Sequence, residues 1–170
     1  MLYLHGMGHF NPEIVISNQF LEDLDIGTSN EWILERVGIA NRRTVLPLDY
    51  IQRTKNEDFR AAFEARLYTN AQMGARAARE ALRRASLLPE DIGMVIAGSS
   101  SPDNIAPAES SAVAAELGIE VPCLDMNSAC SSFGMQMNFL SKMDQETLPS
   151  YVLVVDSETL TKSVNYADRS

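Results

Sequence analysis

Few residues in this chain have side chains suited to covalent chemistry, and they stand at well-separated places: Cys123 and Cys130, with His5 and His9 near the start. Cys130 has the most telling surroundings. It lies within Leu124-Asp-Met-Asn-Ser-Ala-Cys-Ser-Ser-Phe-Gly134, where a short apolar run reads as a strand and the small residues after it read as a turn into a helix. A helix starting near Cys130 would turn free backbone N–H groups and the positive end of its dipole toward the sulfur, and the thiolate is the form of cysteine that attacks thioester and carbonyl carbons. Taken alone, such a cysteine is more often a small buried apolar residue. Cys123 and Cys130 flank the strand-to-turn segment, where a bridge would be awkward, and two cysteines make no disulfide framework. His5 and His9 alternate with Tyr3 and Met7 and so share one strand face, which suits a packed or exposed pair better than metal ligands. No metal site is expected.

Composition narrows the partners. The 170 residues carry a net charge of −9, which gives no long-range attraction to nucleic acid or to an anionic membrane surface. Arg76, Arg79, Arg83 and Arg84 recur at three and four along one helix face and read as solvated charge. No stretch of 18 uninterrupted apolar residues occurs, and no basic segment followed by an apolar core opens the chain, so neither membrane insertion nor export is expected and the location is read as cytoplasmic. The 45% hydrophobic content suits one domain with a sizeable core.

Several elements must position Cys130. Leu2 to Phe10 reads as a strand ended by Asn11-Pro12, followed by an extended piece at Ile14 to Ile16 and by Ser17 as N-cap of a short helix to Asp23. Thr28 and Glu31 have capping-box spacing ahead of Trp32-Ile-Leu-Glu-Arg-Val, with Gly38 placed to stop that helix. Residues 39–58 read as a surface loop with some local structure. From Thr69 to Ala85, Gly74, Ala77, Ala78, Ala81, Leu82 and Ala85 recur at helical spacing opposite the arginines. Strands are predicted at Ile92 to Gly98, Cys123 to Asn127 and Ser150 to Asp156. Between them come a helix from Pro107 to Leu117, stopped by Gly118, and one after Cys130 with Phe133, Met137, Leu140 and Met143 on its inner face. Alternation of this kind predicts a parallel sheet covered by helices, with ligands gathered beyond the carboxyl ends of the strands.

These blocks, in order, resemble the N-terminal half of β-ketoacyl-ACP synthase III enzymes of the thiolase-like superfamily. The resemblance rests on the opening strand ending in Asn-Pro-Glu, the block from Thr28 through Trp32 and Arg36 to Arg43, the Ala77 to Ala85 helix and the strand at Met94. It also rests on Leu124 to Cys130 and on Val154-Val-Asp-Ser157 leading to Asp168-Arg169. It implies an α/β, thiolase-like fold: a mostly parallel mixed sheet with covering helices, occupying residues 1–170 as one N-terminal domain. It implies further that Cys130 takes an acyl group from acyl-CoA, that its own N–H donates to the oxyanion, and that decarboxylative Claisen condensation with malonyl-ACP follows. Thr28, Trp32, Arg36 and Arg169 match the groups around the coenzyme A nucleotide, with the Trp32 indole stacked on adenine; for Trp32 alone, core packing is an equal reading. Coenzyme A thioester is then substrate, and no cofactor is implied. Acyl carrier protein and a second copy in a homodimer are the implied partners.

Departures from the family set the remaining expectations. Its catalytic histidine, asparagine and second oxyanion amide belong to the half of the fold that this chain lacks, and neither His5 nor His9 takes the histidine's place. The chain stops before the glycine-containing strand that completes the first half, so on its own it is expected to be inactive in condensation. Where the family often places a bulky aromatic reaching across the dimer, this chain has Ile105-Ala106, which predicts a roomier or differently shaped acyl channel and a longer or different primer than acetyl. The longer Asn56 to Tyr68 region could remodel the same entrance. Two other readings remain: a non-catalytic thiolase-fold partner subunit, and a related enzyme of head-to-head acyl condensation or ester formation. A purely structural partner has no need of a thiol at a helix start.

Overall fold

The structure, a computed structural model, describes residues 2–168. The described residues form two compact units, one of residues 11–68 with 159–168, the other of residues 2–10 with 69–158.

In the first unit, β1 (Ile14–Ser17) leads directly into α1 (Asn18–Asp23), because Ser17 stays extended and its hydroxyl accepts the Phe20 N–H at 3.1 Å. α2 (Asn30–Val37) is capped by Ser29 rather than Thr28. The Trp32 N–H donates to Ser29 Oγ at 3.1 Å, and Gly38 closes the helix at φ +69°. The expected loop over residues 39–58 is instead largely regular. β2 (Asn41–Thr44) pairs antiparallel with β1, Ile14 opposite Thr44 and Ser17 opposite Asn41, and α3 (Leu48–Thr54) follows. Elements this short show no period that sequence patterning can separate from a loop, yet Val45, Leu46 and Ile51 from this stretch are buried. α4 (Phe59–Ala65) then exposes Phe63, whose ring is approached by Lys162 Nζ at 4.3 Å and Arg66 Cζ at 4.9 Å. The core joins Ile16, Leu21, Leu24, Ile33, Leu46, Ile51, Ala62 and Tyr166. Buried Asn56 fastens residues 162–164 to it, donating through Nδ2 to Lys162 O at 2.7 Å and Val164 O at 2.9 Å.

The second unit carries the sheet. α5 (Asn70–Ala85) starts in a full capping box, with Thr69 Oγ1 accepting from Gln72 N and Gln72 Oε1 from Thr69 N. β3 (Met94–Gly98) is followed by α6 (Glu109–Leu117), β4 (Cys123–Asp125), α7 (Ser132–Lys142) and β5 (Val152–Asp156). β3 is central and parallel to both neighbours in the order β4-β3-β5, with Ala97 opposite Asp125 and Gly98 opposite Asp156. Alternate strand residues face opposite ways. Val95, Leu153 and Val155 meet the small-residue seam of α5 and Val113 of α6. Gly98 and Asp156 turn the other way, toward Ser132 and Gln136 of α7. The sheet therefore has helices on both faces. α7 buries Ser132, Gln136 and Leu140, four residues apart, whereas Phe133 is 52% exposed. Leu140 lies inward as expected, but Ser132 and Gln136 take the inner positions expected of Phe133 and Met137, because the polar pair finds partners at the sheet end.

Leu2 to Phe10, expected as a strand, is in no strand here. No described strand lies beside it to accept its backbone bonds, and Leu2, Tyr3, Leu4 and Met7 are exposed. The segment lies instead on α5, where Gly6 and Gly8 allow the backbones to meet; a Cβ at Gly8 would collide with Ala77 O and Ala81 N. Gly8→Ala should therefore destabilise this unit by about 1–3 kcal/mol. Calorimetry would read it as a lowered melting temperature, and an unchanged one would show that the segment does not lie against α5.

Candidate active site

The carboxyl ends of β3, β4 and β5 converge in the second unit, and backbone there must be tied down by side chains once strand pairing stops. The Met126 N–H still bonds Ala97 O, at 2.7 Å. Beyond it the chain turns tightly: the Ala129 N–H donates to Asn127 Oδ1 at 2.9 Å, the Ser128 N–H to Ser132 Oγ at 2.9 Å, and the Ser132 hydroxyl to Ala129 O at 2.8 Å. These bonds hold Ala129 at φ +48°, left-handed backbone that costs a residue with a side chain about 1–2 kcal/mol. Cys130 follows immediately. It occupies a single 3-10 turn, Ala129–Ser131, that runs into α7, so the helix proper begins two residues after the sulfur. Cys130 is a free, exposed thiol, and Cys123 is free, half-buried and bonded through Sγ to Val121 O.

Behind this turn lies a polar cluster that sequence patterning does not disclose. The fully buried Gln136 amide donates to Met126 O at 3.1 Å and to Asp156 Oδ1 at 2.8 Å. Gly98 makes room for it: a Cβ there would lie 2.7 Å from Gln136 Nε2 and 2.9 Å from Ser132 Cβ, and would strike the Asp156 carboxylate. Desolvation pushes the Asp156 carboxyl above its ordinary value; the Gln136 hydrogen bond opposes that rise and the charge of Glu158 adds to it. Glu158 in turn accepts from Ser100 N and Ser101 Oγ, both at 2.7 Å, holding the loop that leaves β3. A glycine ending a buried strand, polar residues at the first and fifth positions of a helix, and an acid ending the next strand were the available signals.

The other expected site residues divide between the units. Ile105, fully exposed, and Ala106 lie on the loop from β3 to α6, in the same unit as Cys130. Thr28, Trp32 and Arg36 belong to the first unit. There the Arg36 guanidinium lies 5.4 Å from the Trp32 ring centre, and the indole packs partly against the core. Thr28 Oγ1 is buried and has no hydrogen-bond partner among the described residues. Arg169 lies outside the described residues. Among those residues, no cluster of three or more His, Cys, Asp or Glu could hold a metal ion, and no helix is long and apolar enough to cross a membrane.

Cys130 is thus an exposed cysteine on a tight turn between a parallel strand and a helix. The family model for 3-oxoacyl-[acyl-carrier-protein] synthase III matches residues 124–170. Over nearly its whole length the chain is similar to synthase III enzymes. The β-ketoacyl-[acyl-carrier-protein] synthase III of Chlamydia caviae is 32% identical over 96% of this chain and 43% of its own length. That of Sphingopyxis alaskensis is 33% identical over 98% and 46%. The crystal structure of 3-oxoacyl-[acyl-carrier-protein] synthase III from Aquifex aeolicus superposes with a TM-score of 0.77 at 31% identity, covering 96% of this chain and 47% of that one. The chain thus spans a little under half the length of these synthase III relatives.

Asp156 yields a pH-dependent expectation. A carboxyl whose value is raised by folding holds its proton more tightly folded than unfolded, so its charge opposes folding above the unfolded value, near 3.8, and has no effect once both states are protonated. Asp156→Asn keeps an acceptor for Gln136 and removes the charge. It should melt higher than the parent at neutral pH, with the gain fading as pH falls below about 4; equal melting temperatures across that range would remove desolvation as the cause.

Proposed function

We propose that this chain is the thiol-bearing half of a condensing acyltransferase of the β-ketoacyl-ACP synthase III type, with residues 1–170 forming its N-terminal thiolase-like domain. The observation that carries the reading is Cys130, free and exposed on a side-chain-braced turn beyond the carboxyl edge of a parallel sheet. In the first step the Cys130 sulfur attacks the thioester carbonyl of an acyl-CoA. The carbonyl electrons move to oxygen, where the Cys130 N–H donates to them, and return as the coenzyme A thiolate leaves. In the second step malonyl-ACP loses carbon dioxide, its carbanion forms a bond to the acyl carbon, and the Cys130–acyl bond breaks to restore the thiolate. The histidine, asparagine and second oxyanion donor of this chemistry belong to the other half of the family's fold, so residues 1–170 by themselves should be inactive in condensation.

Thr28, Trp32, Arg36 and Arg169 are the proposed contacts for the coenzyme A nucleotide. Support comes from the partly exposed indole of Trp32, whose ring already attracts the Arg36 guanidinium. Ile105 and Ala106 are proposed to shape the acyl channel at a two-fold interface. Exposed Ile105, Leu124 and Phe133, together with the unpaired edge of β4, support a homodimer through this side. With acyl-CoA and acyl carrier protein as partners, the proposed activity belongs to fatty acid or related acyl biosynthesis, and the proposed location is the cytoplasm.

Incubating the protein, together with its second half, with acyl-CoA candidates and mapping the added mass tests the reading. The acyl group should appear on the peptide containing Cys130 and vanish in Cys130→Ala; an adduct that never forms there sinks the covalent mechanism. In the same assay, Ile105-Ala106 in place of a bulky aromatic should move the optimum to a longer or different primer than acetyl, and a sharp optimum at acetyl would contradict the assigned channel.

A further inference from the structure

Gln136 is an odd residue to bury. Its side chain is fully enclosed, and its Oε1 has no hydrogen-bond partner among the described residues, so it carries a desolvation cost that a methionine of similar size would avoid. What the amide does gain is two bonds in one direction. Both neighbours, Met126 O and Asp156 Oδ1, only accept, so the nitrogen and not the oxygen must face them. Met126 is the last residue held by the sheet before the Cys130 turn, and its N–H is already fixed on Ala97 O. The Gln136 amide fixes the other side of the same residue. Asp156 holds the amide from the end of β5, in the space that Gly98 leaves free.

We propose that Gln136 and Asp156 are positioning residues for Cys130: the amide, oriented by the Asp156 carboxylate, fixes the Met126 carbonyl and so sets the attitude of the turn that presents the thiol. The proposal rests on Cys130 being the reactive thiol. Its test is independent of acyl loading, so that either can fail without the other.

The measurement is the rate of carbamidomethylation of Cys130 by iodoacetamide in the 170-residue chain, followed by peptide mass spectrometry, with Cys123 as reference in the same sample. Loosening of the whole sheet would speed both cysteines together, because Cys123 is on β4 itself. A change confined to the turn moves only the ratio. Asp156→Ala, which removes the acceptor at an exposed position, and Gln136→Met should each change the Cys130-to-Cys123 ratio by about threefold or more, the scale of one hydrogen bond. Asp156→Asn restores an acceptor and should stay within about twofold of the parent. If Gln136→Met does not fold, the two Asp156 variants decide the matter. An unchanged ratio in Asp156→Ala, parallel acceleration of both cysteines, or an Asp156→Asn shift as large as that of Asp156→Ala would each overturn the proposal.

Discussion

The missing Cβ at residue 98 is the constraint on which the site unit depends. Gly98 closes the central strand, and directly across from it Asp156 closes β5. With any side chain at 98, the carboxylate and the Gln136 amide could not both fit, and α7 would have to move off the sheet. Because the gap exists, a strand end, a helix and the start of a turn share one small polar cluster. Around the buried Gln136 and Ser132 such a cluster orients its members far more sharply than apolar contact can, since an unmatched donor or acceptor there is costly. The turn before Cys130 needs that discipline, for it contains a left-handed alanine and would otherwise relax.

Around this cluster the unit is built with unusual economy of side chains. The α5 seam of Ala71, Ala75 and Ala78 brings the helix backbone close to Val155 and Leu153, and Gly74 leaves room for Val113. Close helix–sheet contact leaves little freedom for β5 to shift along its axis. The position of Asp156 is therefore set from behind by apolar packing and from in front by one amide.

Much of this was legible in the residues. α5 stands out because sixteen residues give the period time to repeat and because Thr69 and Gln72 mark its start. The parallel sheet follows from β3, β4 and β5 alternating with helices, and Cys130 follows from the small residues around it. What the pattern hides is of two kinds. Short elements, such as β2 and α3, do not last a full period, so Val45, Leu46 and Ile51 read as loop while lying in the core. A polar inner face inverts the usual rule: α7 turns Ser132 and Gln136 inward and leaves Phe133 outside, because hydrogen-bond partners rather than apolar area decide its rotation. The cap of α2 shows the same limit on a smaller scale, since Thr28 and Ser29 are equally good hydroxyls and only the backbone angle selects Ser29.

α6 begins at Ala108, which offers no side-chain cap. The N–H groups of Glu109 and Ser110 donate instead to the two carboxylate oxygens of Asp125, both at 2.8 Å, from the end of β4. The start of this helix is thus completed by a residue that the chain reaches only after the helix is finished. Before β4 docks on β3, α6 lacks what would nucleate it, and fraying of β4 would unzip it from its first turn. Strand and helix consequently order and melt as one piece, and the Cys130 turn, which continues directly from β4, inherits the cooperativity of that piece.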